Sequence, residues 1–189
     1  SDGVSRRGYA TQDGRRAAEV RLDRVAARDV LGEAENGLPL VRAVVDQAIA
    51  ALGAEAVGVM AAMQRLTVDY LKMRKQFGLP IGAFQALQHR AVDMFIQVEQ
   101  SRSMAFFATM MADSADADAR GRAMHAAKAE IGRNGRQCGE SAIQLHGGVG
   151  MTAEYAIGHY FKRMTMIDIT FGDSDHHLER LAEKGGLTD

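Results

Sequence analysis

Apolar residues from Leu38 onward recur at intervals of three and four: Val41, Val44, Val45, Ile49, Leu52, Val57, Met60, Met63, Leu66, Tyr70 and Met73. That spacing predicts a helix over residues 38–76 with one face turned to a core. FGLPIGAF, residues 77–84, ends it with two glycines and a proline. A second helix is predicted over 83–112 from Leu87, Val92, Phe95, Ile96, Val98, Met104 and Phe107. The turn DSADADAR follows, where Ser114 or Asp116 can cap a third helix over 117–145. QLHGGVG breaks that helix, EYAIGHYFKRMTMIDI predicts a fourth, and a short helix after FGDSD ends near Glu183. Residues 1–37 follow another period. Ala18, Val20, Leu22 and Val25 nearly alternate behind an Asp13-Gly14 turn, the pattern of a strand or hairpin. A lone hairpin is marginal in water, so this segment is predicted to be the tail of a sheet whose remainder lies elsewhere. The expected organisation is residues 1–37 as a β segment and 38–189 as a bundle of antiparallel helices, a mainly α fold.

Composition narrows the picture. With 189 residues, 47% of them hydrophobic, and only two prolines, the chain can bury one sizeable core. The net charge of −1 and the lack of a basic stripe argue against nucleic acid and anionic membrane as partners. Apolar runs look shorter than the ~20 residues of a spanning helix, and SDGVSRRGYA lacks the apolar centre of a signal peptide. The single cysteine, Cys138, suits a reducing cytoplasm and is expected to be an inert, buried thiol. The first residue is Ser, as expected of a processed or truncated piece. The eleven methionines are expected to fill core gaps.

Candidate chemistry gathers at the breaks. A glycine inside a helix costs about 1 kcal/mol against Ala, yet Gly147, Gly148 and Gly150 stand together behind Gln144, Leu145 and His146. Such a break exposes backbone N–H groups that can meet an anion. Arg74, just before Phe77-Gly78, carries paired donors suited to a phosphate, and Gln85 both donates and accepts. Read by themselves, Arg74 is equally a surface helix cap and the glycines a plain helix terminus. His146 is read as packed or nucleotide-facing, Glu55 as a solvated charge and DSADADAR as a solvated turn. Asp173, Asp175, His176 and His177 could suggest a metal, but adjacent helical histidines point about 100° apart, so none is predicted.

Two segments in order, RKQFGLPIGAFQALQHRAVDM (74–94) and QLHGGVGMTAEYAIGHYFKRMTMIDITFGDS (144–174), resemble the acyl-CoA dehydrogenase family. The first resembles its R-x-x-F-G-x-x-[IL]-x-x-x-Q segment and the second its Q-x-x-G-G-x-G segment. The likeness covers about residues 8–183. It implies the end of the family's middle β domain followed by its C-terminal four-helix bundle. It also implies FAD as cofactor, an acyl-CoA substrate, α,β-desaturation, electron-transfer flavoprotein as electron acceptor, and a homo- or hetero-oligomer, a dimer or dimer of dimers. By the resemblance, Arg74, Phe77, Gln85, Gln144, Leu145, His146, Gly147, Gly148 and Asp173 are cofactor-binding, with the Arg and Gln segments reaching the FAD of a neighbouring subunit.

The chain departs from the family at its base. The usual carboxylate of I-Y-E-G-T falls at Phe171 in ITFGD, residues 169–173, and the alternative position on the first bundle helix falls at Ala48. Neither can accept a proton. Ile49 stands where many members carry an Arg near the CoA adenosine. The resemblance therefore implies a base-lacking subunit of a heteromeric enzyme, of the kind acting on steroid side chains or dicarboxylates. The competing expectations are a substitute carboxylate among Asp168, Asp173 and Asp175, or a non-catalytic structural bundle that binds no flavin.

Overall fold

The computed structural model describes residues 3–26, 29–32 and 35–186. Strands β1 (Val4–Ala10) and β2 (Arg16–Leu22) form an antiparallel hairpin in which Val4 faces Leu22 and Ala10 faces Arg16. Most of both strands is exposed. The bundle follows: α1 (Leu38–Met73), α2 (Gln85–Ala112), α3 (Ala117–His146), α4 (Ala156–Ile169) and the short α5 (Ser174–Glu183). Between α1 and α2 lie the two-residue strands β3 (Lys75–Gln76) and β4 (Leu79–Pro80) and a 3-10 turn, Ile81–Ala83. The predicted mainly α bundle with a short β lead is thus the observed architecture.

Two boundaries move. The first helix stops at Met73 rather than at residue 76, because Phe77 and Gly78 both adopt positive φ, +51° and +81°, and fold Lys75–Gln76 back on Leu79–Pro80. Paired left-handed residues are the geometry of a tight hairpin turn. Asp116, not Ser114, caps α3: its carboxylate accepts from the N–H groups of Asp118 and Ala119.

Methionine fills the core. Met60, Met63, Met94, Met124 and Met164 are fully buried among α1 to α4, each worth about 1.5–3 kcal/mol against exposure. Cys138 is buried with them, and burial pushes its thiol up to about 12. One expectation about apolar length needs correction. By length and composition α1 could cross a bilayer; in the structure its stripe from Ile49 to Leu71 packs against the other helices instead.

Glycines set the approach of α4 to α3. A Cβ at Gly132 would stand 2.1 Å from Asp168 Oδ1, at Gly135 2.3 Å from Met164 Cε, and at Gly139 2.4 Å from Phe161 Cδ2. At each of these close approaches an added Cβ would force the facing side chain to move.

Glu55 is not a solvated charge. It accepts from Arg163 and from Arg15, while Arg163 also holds Asp13 at the hairpin's tip. The hairpin is therefore fastened to α1 and α4 by ions.

Candidate functional site

Arg74 sits at the end of α1 with its backbone pinned on both sides. Its N–H donates to Tyr70 O at 2.8 Å, and its carbonyl accepts from Ile81 N–H at 2.8 Å. The side chain is exposed and makes no ion pair among the described residues. Phe77, at the tip of the adjoining turn, is 90% exposed, and its ring meets that of Phe84 edge to face. Gln85, the first residue of α2, is exposed beside it.

The glycine turn lies at the same end of the bundle. His146, the last residue of α3, stacks on Tyr70 with ring centroids 4.5 Å apart, and Tyr70 is one helical turn before Arg74. Gly147 then takes φ +61°, and its N–H returns to Gln144 O and Ile143 O. A Cβ at Gly147 or Gly148 would meet nothing within 4 Å, so this backbone lies open to a ligand. Gly150 differs: it is buried, and a Cβ there would press on His146 and Ile143. Gln144 borders a cavity of about 360 Å³ together with Glu140, Thr152, His159 and Lys162.

The predicted residues therefore divide. Arg74, Phe77, Gln85, Gln144, Gly147 and Gly148 are brought to one exposed end. Leu145 and His146 turn their side chains inward. His146 Nδ1 bonds Ala142 O at 2.8 Å, its ring lies against Tyr70 and Tyr155, and burial lowers its pKa. A guanidinium, an amide and bare backbone can together take phosphate, ribose and base, so these residues fit a dinucleotide.

Asp173 is elsewhere. It caps α5, accepting from His176 N–H at 2.9 Å, and that bond lowers its pKa. It follows Phe171 and Gly172, whose φ values are +63° and +104°. The loop is held by its carbonyls. Lys128 Nζ, on a 3% exposed side chain, donates to Asp168 O and, at 2.8 Å, to Gly172 O. His177 Nε2 bonds Phe171 O at 3.1 Å. Burial lowers the Lys128 pKa, with Asp168 and Asp173 opposing.

Phe171 borders a second cavity, of about 560 Å³, against the first turns of α1 from Pro39 to Ile49. Ile49 and Arg74 are 25 residues apart on one helix, about 37 Å at 1.5 Å per residue, so this cavity and the Arg74 end are remote from each other. None of the three candidate carboxylates borders it. Asp168 is buried, accepting from Arg136 at 3.1 Å and Ser174 at 2.8 Å, and Asp175 borders a small cavity with Arg133 and Arg136. The cavity's own Asp46 is paired with Arg120 at 2.9 Å.

Two partnerships escaped the sequence reading. Lys128 gave no sign of being buried, since a lysine on a predicted helix ordinarily faces water. His125 and His177, whose Nδ1 atoms are 2.8 Å apart, are 52 residues apart in sequence.

A family model described as the acyl-CoA dehydrogenase C-terminal domain matches residues 35–186. The chain is 32% identical over 173 residues to a probable acyl-CoA dehydrogenase, YngJ, of Bacillus subtilis, covering 89% of this chain and 44% of that protein. It is 38% identical over 138 residues to the acyl-CoA dehydrogenase IpdE2 of Mycolicibacterium smegmatis, covering 72% and 42%. Among solved structures, a variant of the Tcur3481–Tcur3483 steroid ACAD superposes with a TM-score of 0.87 at 34% identity, over 97% of this chain and 48% of that one. The chain thus spans less than half the length of the proteins it matches.

Proposed function

This chain belongs to the acyl-CoA dehydrogenase family, whose chemistry is FAD-dependent dehydrogenation of acyl thioesters, and we propose that it is the C-terminal part of a subunit lacking its own catalytic carboxylate. Phe171 at the base position carries this reading. An aromatic ring cannot take the α proton, and no loop carboxylate borders the cavity that Phe171 faces. The complete enzyme desaturates an acyl-CoA and passes electrons to an electron-transfer flavoprotein. A partner subunit supplies the base.

FAD, when bound, supplies the hydride acceptor. In this chain Arg74 would pair with the dinucleotide's phosphates, Gln85 and Gln144 would bond its polar edges, and Gly147-Gly148 would let backbone approach. Phe77, bare at its turn, would pack on the neighbour that holds the ring. The likeness to a steroid ACAD favours a bulky acyl group.

The test is coexpression of the full-length gene with its genomic neighbours. The expected result is a yellow complex absorbing near about 450 nm that oxidises acyl-CoA only when the partner is present. Turnover by the isolated homo-oligomer would overturn the missing-base reading. A purified complex that never carries flavin would favour the purely structural bundle.

A further inference from the structure

We propose that Asn36 is a site of spontaneous covalent modification, at which the backbone nitrogen of Gly37 closes on the Asn36 side chain and expels ammonia. Asparagine is among the thermolabile residues. The chain has two, and both precede a glycine: Asn36-Gly37 and Asn134-Gly135. As dipeptides they are equally reactive. The fold treats them in opposite ways.

The reaction needs a backbone nitrogen free to swing onto the side-chain carbonyl carbon, Cγ. Gly37 lacks the Cβ that would crowd this approach. Asn36 is exposed and stands just before α1. Among the described residues no hydrogen bond holds the Gly37 N–H, and none caps the helix through a side chain here. The Gly37 carbonyl accepts from Val41 N–H at 3.1 Å, so the chain is anchored on that side and loose on the nitrogen side. Asn134 lies in the middle of α3 and is 6% exposed, with Nδ2 donating to Glu130 Oε1 at 3.1 Å. Inside a helix the Gly135 N–H is committed to the carbonyl four residues back. Gly135 also lies under Met164, whose Cε is 2.3 Å from where a Cβ would stand. Neither its nitrogen nor the Asn134 amide can move to meet the other.

In the reaction the Gly37 nitrogen bonds to Asn36 Cγ as its proton passes to hydroxide. The Cγ–Nδ2 bond breaks, and the amide nitrogen takes a proton from water and leaves as ammonia. A cyclic imide remains. Water then opens either of its C–N bonds, giving aspartate or isoaspartate. One water enters, one ammonia leaves, and nothing is oxidised or reduced. The product carries a new carboxylate at the start of α1, whose first turn has no acidic residue. A helix N-terminus favours negative charge, so the fold does not oppose the modified form.

To test this, the full-length protein, with its partner subunit if that is needed for solubility, is incubated in mildly acid and mildly alkaline buffer and its peptides are followed by mass spectrometry. The Asn36 peptide should gain about one mass unit, faster in alkali because the attacking nitrogen must lose its proton. An isoaspartyl methyltransferase should label the product. The Asn134 peptide should stay unchanged in the folded protein and convert once urea unfolds it. Gly37→Ala should slow the Asn36 conversion severalfold. Gly37 has φ −77°, and a Cβ there meets nothing within 4 Å, so alanine fits the fold without strain. Asn36→Gln should lose the mass gain, since its longer side chain must close a larger ring. No gain at Asn36, equal rates at the two asparagines in the folded protein, an Asn134 that stays silent in urea, or an unchanged rate in Gly37→Ala would each overturn the proposal.

Discussion

Arg163 grips Glu55 with two nitrogens, Nε to Oε1 and Nη2 to Oε2, both at 2.7 Å, although the residues are 108 positions apart. The third nitrogen, Nη1, reaches Asp13 at 2.7 Å, and the Asp13 side chain is only 1% exposed. One guanidinium therefore joins α4, α1 and the hairpin. Removing it leaves the buried Asp13 carboxylate with only the Thr11 hydroxyl and the Arg15 N–H among the described residues, and breaking a buried ion pair typically costs about 3–5 kcal/mol. Arg163→Met should lower stability by roughly 3 kcal/mol, measured by urea unfolding. Adding Asp13→Asn and Glu55→Gln should recover much of that loss. If the triple variant is no better than the single one, the cost is not electrostatic.

Acid should weaken the fold in two stages. The folded His177 pKa lies at about 4, below the ordinary value of 6.5, so the unfolded chain binds the proton more readily between these values. Stability from the neutral ring is full above pH 6.5 and drains away as pH falls towards 4. Asp13 follows lower. Its pKa is lowered from 3.8 to about 2, first by the Thr11 hydroxyl and also by Arg163. Its contribution is present above pH 3.8 and is lost as pH falls through about 2. Melting temperatures across this range should show the first decline much reduced in His177→Gln. An unchanged profile in that variant would remove His177 from the account.

Flavin retention and stability should separate at the Arg74 end. The Arg74 side chain is exposed, and its structural bonds are made by backbone. Arg74→Ala should leave the melting temperature nearly unchanged. It should weaken flavin binding by about 1.5–3 kcal/mol, the worth of a charge-assisted bond. Gly148→Leu should behave likewise, since its new side chain points into open space but would obstruct an approaching nucleotide. Full flavin content in both variants would refute the assignment.

Gly132→Ala should do the reverse. Alanine normally favours a helix interior by about 1 kcal/mol over glycine. Here its Cβ would collide with Asp168, which Arg136 and Ser174 hold fast. A net loss of about 1–3 kcal/mol is expected by chemical denaturation.

Phe171→Glu should give slow proton abstraction from acyl-CoA in the purified complex even when the partner's own base is removed. Complete inactivity alongside retained thioester binding would show that this cavity does not face the α carbon.

The main helices and their order were legible because apolar residues recur at three and four along nearly the whole chain, and because glycine and proline mark the breaks. The end of α1 was not, since polar Arg74, Lys75 and Gln76 read as a plausible last turn. Arg74 already leaves helical geometry with ψ 126°, and the left-handed pair Phe77-Gly78 then turns the chain back. Gly132, Gly135 and Gly139 look like defects in a helix; their use appears once α4 lies across them. Among the candidate site residues, type and position marked Arg74, Gln144 and the two open glycines. The inward turn of Leu145 and His146 follows from the rotation of α3 about its axis, which a motif does not encode. The fastening of Glu55 and the meeting of His125 with His177 depend on long-range packing and leave no local trace.

The shape of the Phe171 loop resides in carbonyls anchored by Lys128 and His177. The side chain at position 171 can therefore change while the loop keeps its anchors, within the left-handed backbone set by its φ of +63°. Loss or recovery of an acid there alters a single residue.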